Sequence, residues 1–201
     1  MSVEFGKSET KINLMRAFAG ESQARNRYTF AASEAKSQKL FVVHAVFDFT
    51  AEQEKAHAKV FGDFLRTEES GSIRIDGGYP TDPKGNVAAL LRAAQHNENE
   101  EFETVYKSFA DTAEEEGFSQ IAAAFRNIAK IEKVHSDRFS RLAELLEADK
   151  LFVSDIECDW MCLNCGYIFS GREVPEKCPV CSHDRGYFIR YTLAPYSCTV
   201  G

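Results

Sequence analysis

Two Glu-x-x-His pairs stand out in the chain, Glu54-Lys-Ala-His57 and Glu132-Lys-Val-His135. On a helix, positions i and i+3 share a face, so both side chains of each pair can reach one point. Glu21, Glu98 and Glu101 also fall on helical seams where apolar residues flank them on both sides. These five carboxylates and two imidazoles cannot neutralise one another. A buried carboxylate without compensation costs several kcal/mol or is forced neutral. Two divalent irons would bring four positive charges, and imidazole would complete the coordination. One Glu from each of two helices plus Glu-x-x-His from each of two others is a carboxylate di-metal pattern. Random placement of the five histidines would yield about half of one Glu-x-x-His.

A second donor set lies in the tail. Cys162-Leu-Asn-Cys165 and Cys178-Pro-Val-Cys181 are two Cys-x-x-Cys knuckles with twelve residues between them. Four thiolates at this spacing make a tetrahedral metal site, and spacing alone leans to zinc without excluding iron. Trp160, Tyr167, Phe169, Tyr187 and Phe188 supply an apolar shell for either metal. Cys158 and Cys198 lie outside both knuckles and read as spare thiols, with a mutual disulfide as the minor alternative.

The elements that must position these groups are legible in the apolar periodicity. Helical patterns run over about 9–37, 40–66, 85–115 and 118–147. Thr67 to Asn86, with four glycines and two prolines, breaks them as a long connection. Two helix pairs joined by one long crossover give an all-α, ferritin-like four-helix bundle. The chain also repeats itself at an offset of 78 residues. Tyr28 maps to Tyr106, Phe47 to Phe125, Glu54 to Glu132, His57 to His135 and Phe61 to Phe139. Tyr28 and Tyr106 read as core aromatics whose hydroxyls are candidates to hold ligand carboxylates from outside. Two positions break the repeat. Gly117, a helix C-terminal residue, maps to Lys39, which lacks glycine's tolerance for a left-handed backbone. Glu21 to Tyr28 spans seven residues and Glu98 to Tyr106 eight, so the third helix is expected to absorb one extra residue as a π-bulge.

Residues 1–148 hold none of the six cysteines, and residues 158–201 hold all of them. The expected organisation is therefore a bundle over 1–148, a linker over 149–157 and a small metal-ribbon domain over 158–201. A net charge of −7 leaves no basic footprint for nucleic acid or anionic lipid. No apolar run approaches a membrane span. Met1 to Glu9 carries no apolar stretch of a signal peptide, and the expected compartment is the cytoplasm.

The segment Ala17-Phe-Ala-Gly-Glu-Ser-Gln-Ala-Arg-Asn-Arg-Tyr28, the two Glu-x-x-His pairs, and Cys165-Gly-Tyr with Cys178-Pro resemble rubrerythrin over about residues 10–190. The resemblance implies a non-haem di-iron peroxidase with a C-terminal rubredoxin-like domain, the two irons of the bundle being held by Glu21, Glu54, His57, Glu98, Glu101, Glu132 and His135. It also implies iron rather than zinc at Cys162, Cys165, Cys178 and Cys181, zinc arising there only by mis-metallation. It implies that one iron exchanges His57 for Glu101 between redox states. Hydrogen peroxide is the implied substrate, and a reductase or a rubredoxin the implied upstream electron donor. Iron storage with ferroxidase activity, or pure electron carriage, are the alternative functions. A head-to-tail homodimer is expected. Glu132 lies roughly 22 Å of helix before Glu147, and a nine-residue linker reaches at most roughly 30 Å. A tail could thus reach its own metals only by folding back along the bundle.

Overall fold

Ser8 caps the first long helix, its hydroxyl accepting from the Lys11 amide at 3.1 Å. Glu116, from the far end of another helix, accepts from the Glu9 and Thr10 amides at 2.9 and 2.8 Å. The first amides of a helix have no intrahelical partners, so these contacts both start the helix and tie two helices together. The computed structural model describes residues 3–66, 71–195 and 197. In it α1 spans Glu9–Ser37, α2 Phe41–Leu65 and α3 Val87–Glu100. A π-helical segment, Glu101–Val105, then runs directly into α4, Tyr106–Glu115, and α5 spans Ser119–Glu147. α3, the π segment and α4 act as one long helix. The result is the expected ferritin-like four-helix bundle, with α1 packed on α2 and α3–α4 packed on α5. The expected helix ends agree with these to within two residues, and the extra residue before Tyr106 is absorbed as a π segment, as its spacing requires.

Three helices end in the same way. Lys39, Gly117 and Asp149 all have positive φ, at 59°, 91° and 55°. In each case the next amide reaches back five residues: Leu40 to Ala35, Phe118 to Ala113, Lys150 to Leu145. This is the Schellman arrangement. Lys39 therefore adopts the left-handed conformation that its repeat counterpart, Gly117, adopts without strain.

In the tail, β1 (Val153–Cys162) is the centre of an antiparallel sheet, flanked by β2 (Ile168–Glu173) and β3 (Phe188–Arg190). β1 begins at Val153, inside the segment read as a linker. Trp160, Cys162, Val174, Cys178 and Phe188 form a small core of its own, and the Trp160 indole donates to the Gly171 carbonyl at 2.9 Å. The tail also rests on the bundle. Leu151, Ile189 and Ala194 join the buried cluster of α1, α2, α3 and α5. Tyr187 stacks on Phe41 with ring centroids 4.1 Å apart. At Gly186 a Cβ would sit 1.9 Å from the Lys39 carbonyl oxygen, so only glycine allows this approach.

Candidate metal centre

Aromatic rings drawn from both halves of the duplicated pattern close each end of the centre. Tyr28, Phe47 and Phe139 pack with centroids 5.1–5.9 Å apart. Tyr106, Phe61 and Phe125 do the same on the other side, at 4.9–5.8 Å. Between these two triads lie Glu21, Glu54, His57, Glu98, Glu132 and His135, all buried.

Their donor atoms form two groups. In one, His57 Nδ1 lies 3.0 Å from Glu132 Oε1, 3.4 Å from Glu54 Oε2 and 3.7 Å from Glu21 Oε2. In the other, His135 Nδ1 lies 2.8 Å from Glu132 Oε2, 3.0 Å from Glu54 Oε1 and 3.7 Å from Glu98 Oε2. Glu54 and Glu132 thus give one oxygen to each group. Within each group the donor atoms lie within 4.8 Å of one another. None of these oxygens, and neither Nδ1, makes a hydrogen bond despite the short separations.

The remaining atoms show why. The Tyr28 hydroxyl donates to Glu98 Oε1, and the Tyr106 hydroxyl donates to Glu21 Oε1 at 2.5 Å. Each tyrosine holds a carboxylate from the opposite helix pair and leaves its second oxygen turned into the cluster. His135 Nε2 sits 3.1 Å from Gln53 Oε1. Arg138, which can only donate, reaches the same oxygen at 3.1 Å and so marks it as an acceptor. His135 Nε2 then donates to Gln53, which leaves Nδ1 as the ring atom that faces the carboxylate oxygens. Buried carboxylate oxygens gathered this closely around two imidazole nitrogens need positive charge between them, which protons on the rings or bound metal ions supply.

The charge balance agrees. Burial, reinforced by neighbouring carboxylates, pushes the Glu21, Glu98 and Glu101 carboxyls well above their usual range. Burial also acts to raise Glu54, but the His135 and His57 imidazoles outweigh it and bring it to about 2. Burial acts to lower His135, and its contacts with Glu132, Glu54 and Glu98 win, raising it to about 11. His57 is raised in the same way, chiefly by Glu132 against burial. The cluster is short of positive charge. A carboxylate–imidazole set with two shared carboxylates fits a di-iron site.

Glu101 stands apart. It begins the π segment, is half-buried, and lies outside both donor groups. Gln53 and Arg138 were not singled out from the sequence: the repeat counterpart of Gln53 is Ile131, so no pattern marks it.

In the tail, Cys162 Sγ lies 3.8 Å from Cys181 Sγ, and Cys165 Sγ 3.7 Å from Cys178 Sγ. The four sulfurs lie within 4.8 Å of one another. Each knuckle closes with an amide bonding back to the first cysteine's carbonyl, Gly166 to Cys162 and Ser182 to Cys178. Both closing residues have positive φ, 76° and 59°. Burial pushes the Cys162 thiol up to about 12, whereas the His183 amide brings Cys181 to about 6. This set fits a rubredoxin-type iron site. Cys158 is half-buried on β1; Cys198 lies outside the described residues.

Comparison with known proteins points the same way. A family model described as rubrerythrin matches residues 13–143, and one described as the rubredoxin-like domain of rubrerythrin matches residues 160–189. The rubrerythrin of Porphyromonas gingivalis is 48% identical over 181 residues, covering 90% of this chain and 89% of that protein. The rubrerythrin of Nitratidesulfovibrio vulgaris is 38% identical, covering 90% and 93%. The structure of fully reduced, all-ferrous nigerythrin superposes with a TM-score of 0.62 at 29% identity, covering 95% of this chain and 89% of that one.

Proposed function

The chain belongs to the rubrerythrin family, and from that premise we propose that it reduces hydrogen peroxide to water in the bundle, with the tail's tetrathiolate site as electron relay. The observation that carries this reading is the sharing of Glu54 and Glu132 between two donor groups. Two bound ferrous ions would supply one electron each, so that peroxide with two protons becomes two waters.

The chain's own residues do the rest. Glu54 and Glu132 would help to hold both ions, with Glu21 and His57 completing one donor group and Glu98 and His135 the other. The tyrosine hydroxyls hold Glu21 and Glu98 in place. The two aromatic triads exclude water from the ends of the cluster. Glu101, placed on the π segment beside the cluster, is the candidate to exchange with His57. Cys162, Cys165, Cys178 and Cys181 would hold the relay iron. Exposed Cys165, with exposed Ile168 just after it and exposed Val180 inside the second knuckle, gives an external donor an apolar rim to dock on.

We also propose a head-to-tail homodimer. Tyr187 meets the bundle at Phe41, thirteen residues before Glu54, so about 20 Å of helix separates that contact from the centre within one chain. Phe30, Phe49 and Val134 leave apolar surface on the outside of the bundle for a second copy. No helix among the described residues is long and apolar enough to cross a membrane, and a cytoplasmic peroxidase is the reading proposed. Stopped-flow mixing of the reduced protein tests the function. Fast oxidation by hydrogen peroxide with a slow reaction toward dioxygen supports it. Fast oxidation by dioxygen, with ferric iron accumulating in the protein, would favour a ferroxidase instead.

A further inference from the structure

The donor cluster is sealed at both ends by aromatic rings, yet a substrate must reach it. Of the seven residues assigned to the centre, Glu101 alone is not buried. Together with Tyr106 it forms the inner wall of a cavity of about 270 Å³. Gly20 of α1 lines one side, and Gly77, Gly78 and Tyr79 of the crossover form the outer wall. At roughly 30 Å³ per water, the space holds a small molecule with several waters.

The crossover is held over this cavity unequally. Asp82 is locked to Arg27 by contacts of 2.6 and 3.0 Å, in a largely buried, bidentate pair. Asp76, at the other end, is tied to Arg16 at 2.7 Å but is almost fully exposed. Such a pair contributes little and exchanges readily with water. Arg16 grips the segment twice more: its Nε donates to the Asp76 carbonyl at 3.2 Å, and its own carbonyl accepts the Tyr79 hydroxyl at 3.1 Å. The segment is thus anchored at Asp82 and latched at Asp76, with two glycines between the latch and Tyr79. Asp76 and Glu100 against Arg16 leave the walls net acidic, which disfavours anions and admits neutral molecules.

We propose that this cavity is the access and holding site for hydrogen peroxide, and that the Arg16–Asp76–Tyr79 latch limits it to small uncharged hydroperoxides. The assignment rests on the peroxidase reading given above. The test uses the iron-loaded, reduced full chain and two variants. Gly78→Phe adds a ring to the outer wall at a lining residue with free space around its Cβ, to narrow the cavity; Tyr79→Ala opens that wall. The first readout is nitric oxide association followed by absorbance, which needs no turnover. The second is single oxidation by hydrogen peroxide against cumene hydroperoxide. With iron content and melting temperature at parental values, Gly78→Phe is expected to slow both nitric oxide and hydrogen peroxide by at least about tenfold. Tyr79→Ala is expected to shift the rate ratio toward cumene hydroperoxide by about tenfold. Parental nitric oxide rates in Gly78→Phe, or an unchanged hydroperoxide ratio in Tyr79→Ala, would overturn the assignment. If the parent binds nitric oxide quickly but ignores hydrogen peroxide, the peroxidase reading fails, and the holding of peroxide fails with it.

Discussion

Glu54 and Glu132 each give an oxygen to both donor groups, so truncating either removes a donor atom from both groups at once. Glu132→Ala and Glu54→Ala are expected to lose iron and activity together, measured by metal analysis beside peroxide turnover. Glu101→Ala is expected to keep ferrous iron, because His57 and not Glu101 sits in the donor group, and to slow turnover. Turnover at the parental rate in Glu101→Ala would remove the exchange with His57. Gln53 carries a separate expectation. Its amide oxygen fixes which nitrogen of His135 bears the proton, and loss of such a partner costs about 10–100-fold in metal affinity. Gln53→Leu should therefore release iron to a chelator at correspondingly lower chelator concentration, with the helix content unchanged. The residues of the two donor groups stood out in the sequence because a glutamate on an apolar seam is costly to bury unless a cation meets it. Gln53 and Arg138 were not, because their role depends on which face of α2 meets α5.

At the scale of elements, the π segment was readable as a one-residue excess between two otherwise matched halves. The left-handed end of α1 was not, since Lys39 carries no conformational signature of its own. A side chain in that region costs roughly 1 kcal/mol relative to glycine. Lys39→Gly is expected to raise stability by up to about that amount, read from the denaturant midpoint at constant slope. The tie from Glu116 to the start of α1 is equally invisible, because 106 residues separate it from Thr10. Burial acts to raise the Glu116 carboxyl, but its bonds to Thr10 and Glu9 prevail and hold it below its usual range. A group with a depressed folded pKa stabilises fully above its unfolded value, near 4.3 for glutamate, and loses that stability as pH falls through the folded value. Glu116→Gln should thus cost up to about 1 kcal/mol at neutral pH, and the difference should shrink below pH 4 or so. A difference independent of pH would show that the carboxylate charge is not what holds the helix start.

For the whole molecule, the tail has its own small core but also completes part of the bundle's, through Leu151, Ile189 and Ala194. Cys178→Ser is therefore expected to spare the bundle's fold and its single reaction with peroxide while abolishing steady-state turnover from an external reductant. Loss of the single reaction would show that the modules are not separable. Head-to-tail pairing makes a sharper demand: a protein lacking the tail and one carrying Glu54→Ala, dissociated and reassembled together, should restore turnover. If both assemble normally and turnover never returns, electrons stay within one chain. The duplicated halves bear on the same question. Tyr28 and Tyr106, Glu54 and Glu132, and His57 and His135 answer one another, but the π segment adds Glu101, opposite which α1 offers Gln23 and Ala24. Two identical half-sites would be degenerate, and a single added electron would have no preferred home. One surplus residue lifts that degeneracy, so the half-reduced protein should show a localised ferrous–ferric pair by Mössbauer spectroscopy rather than an averaged one.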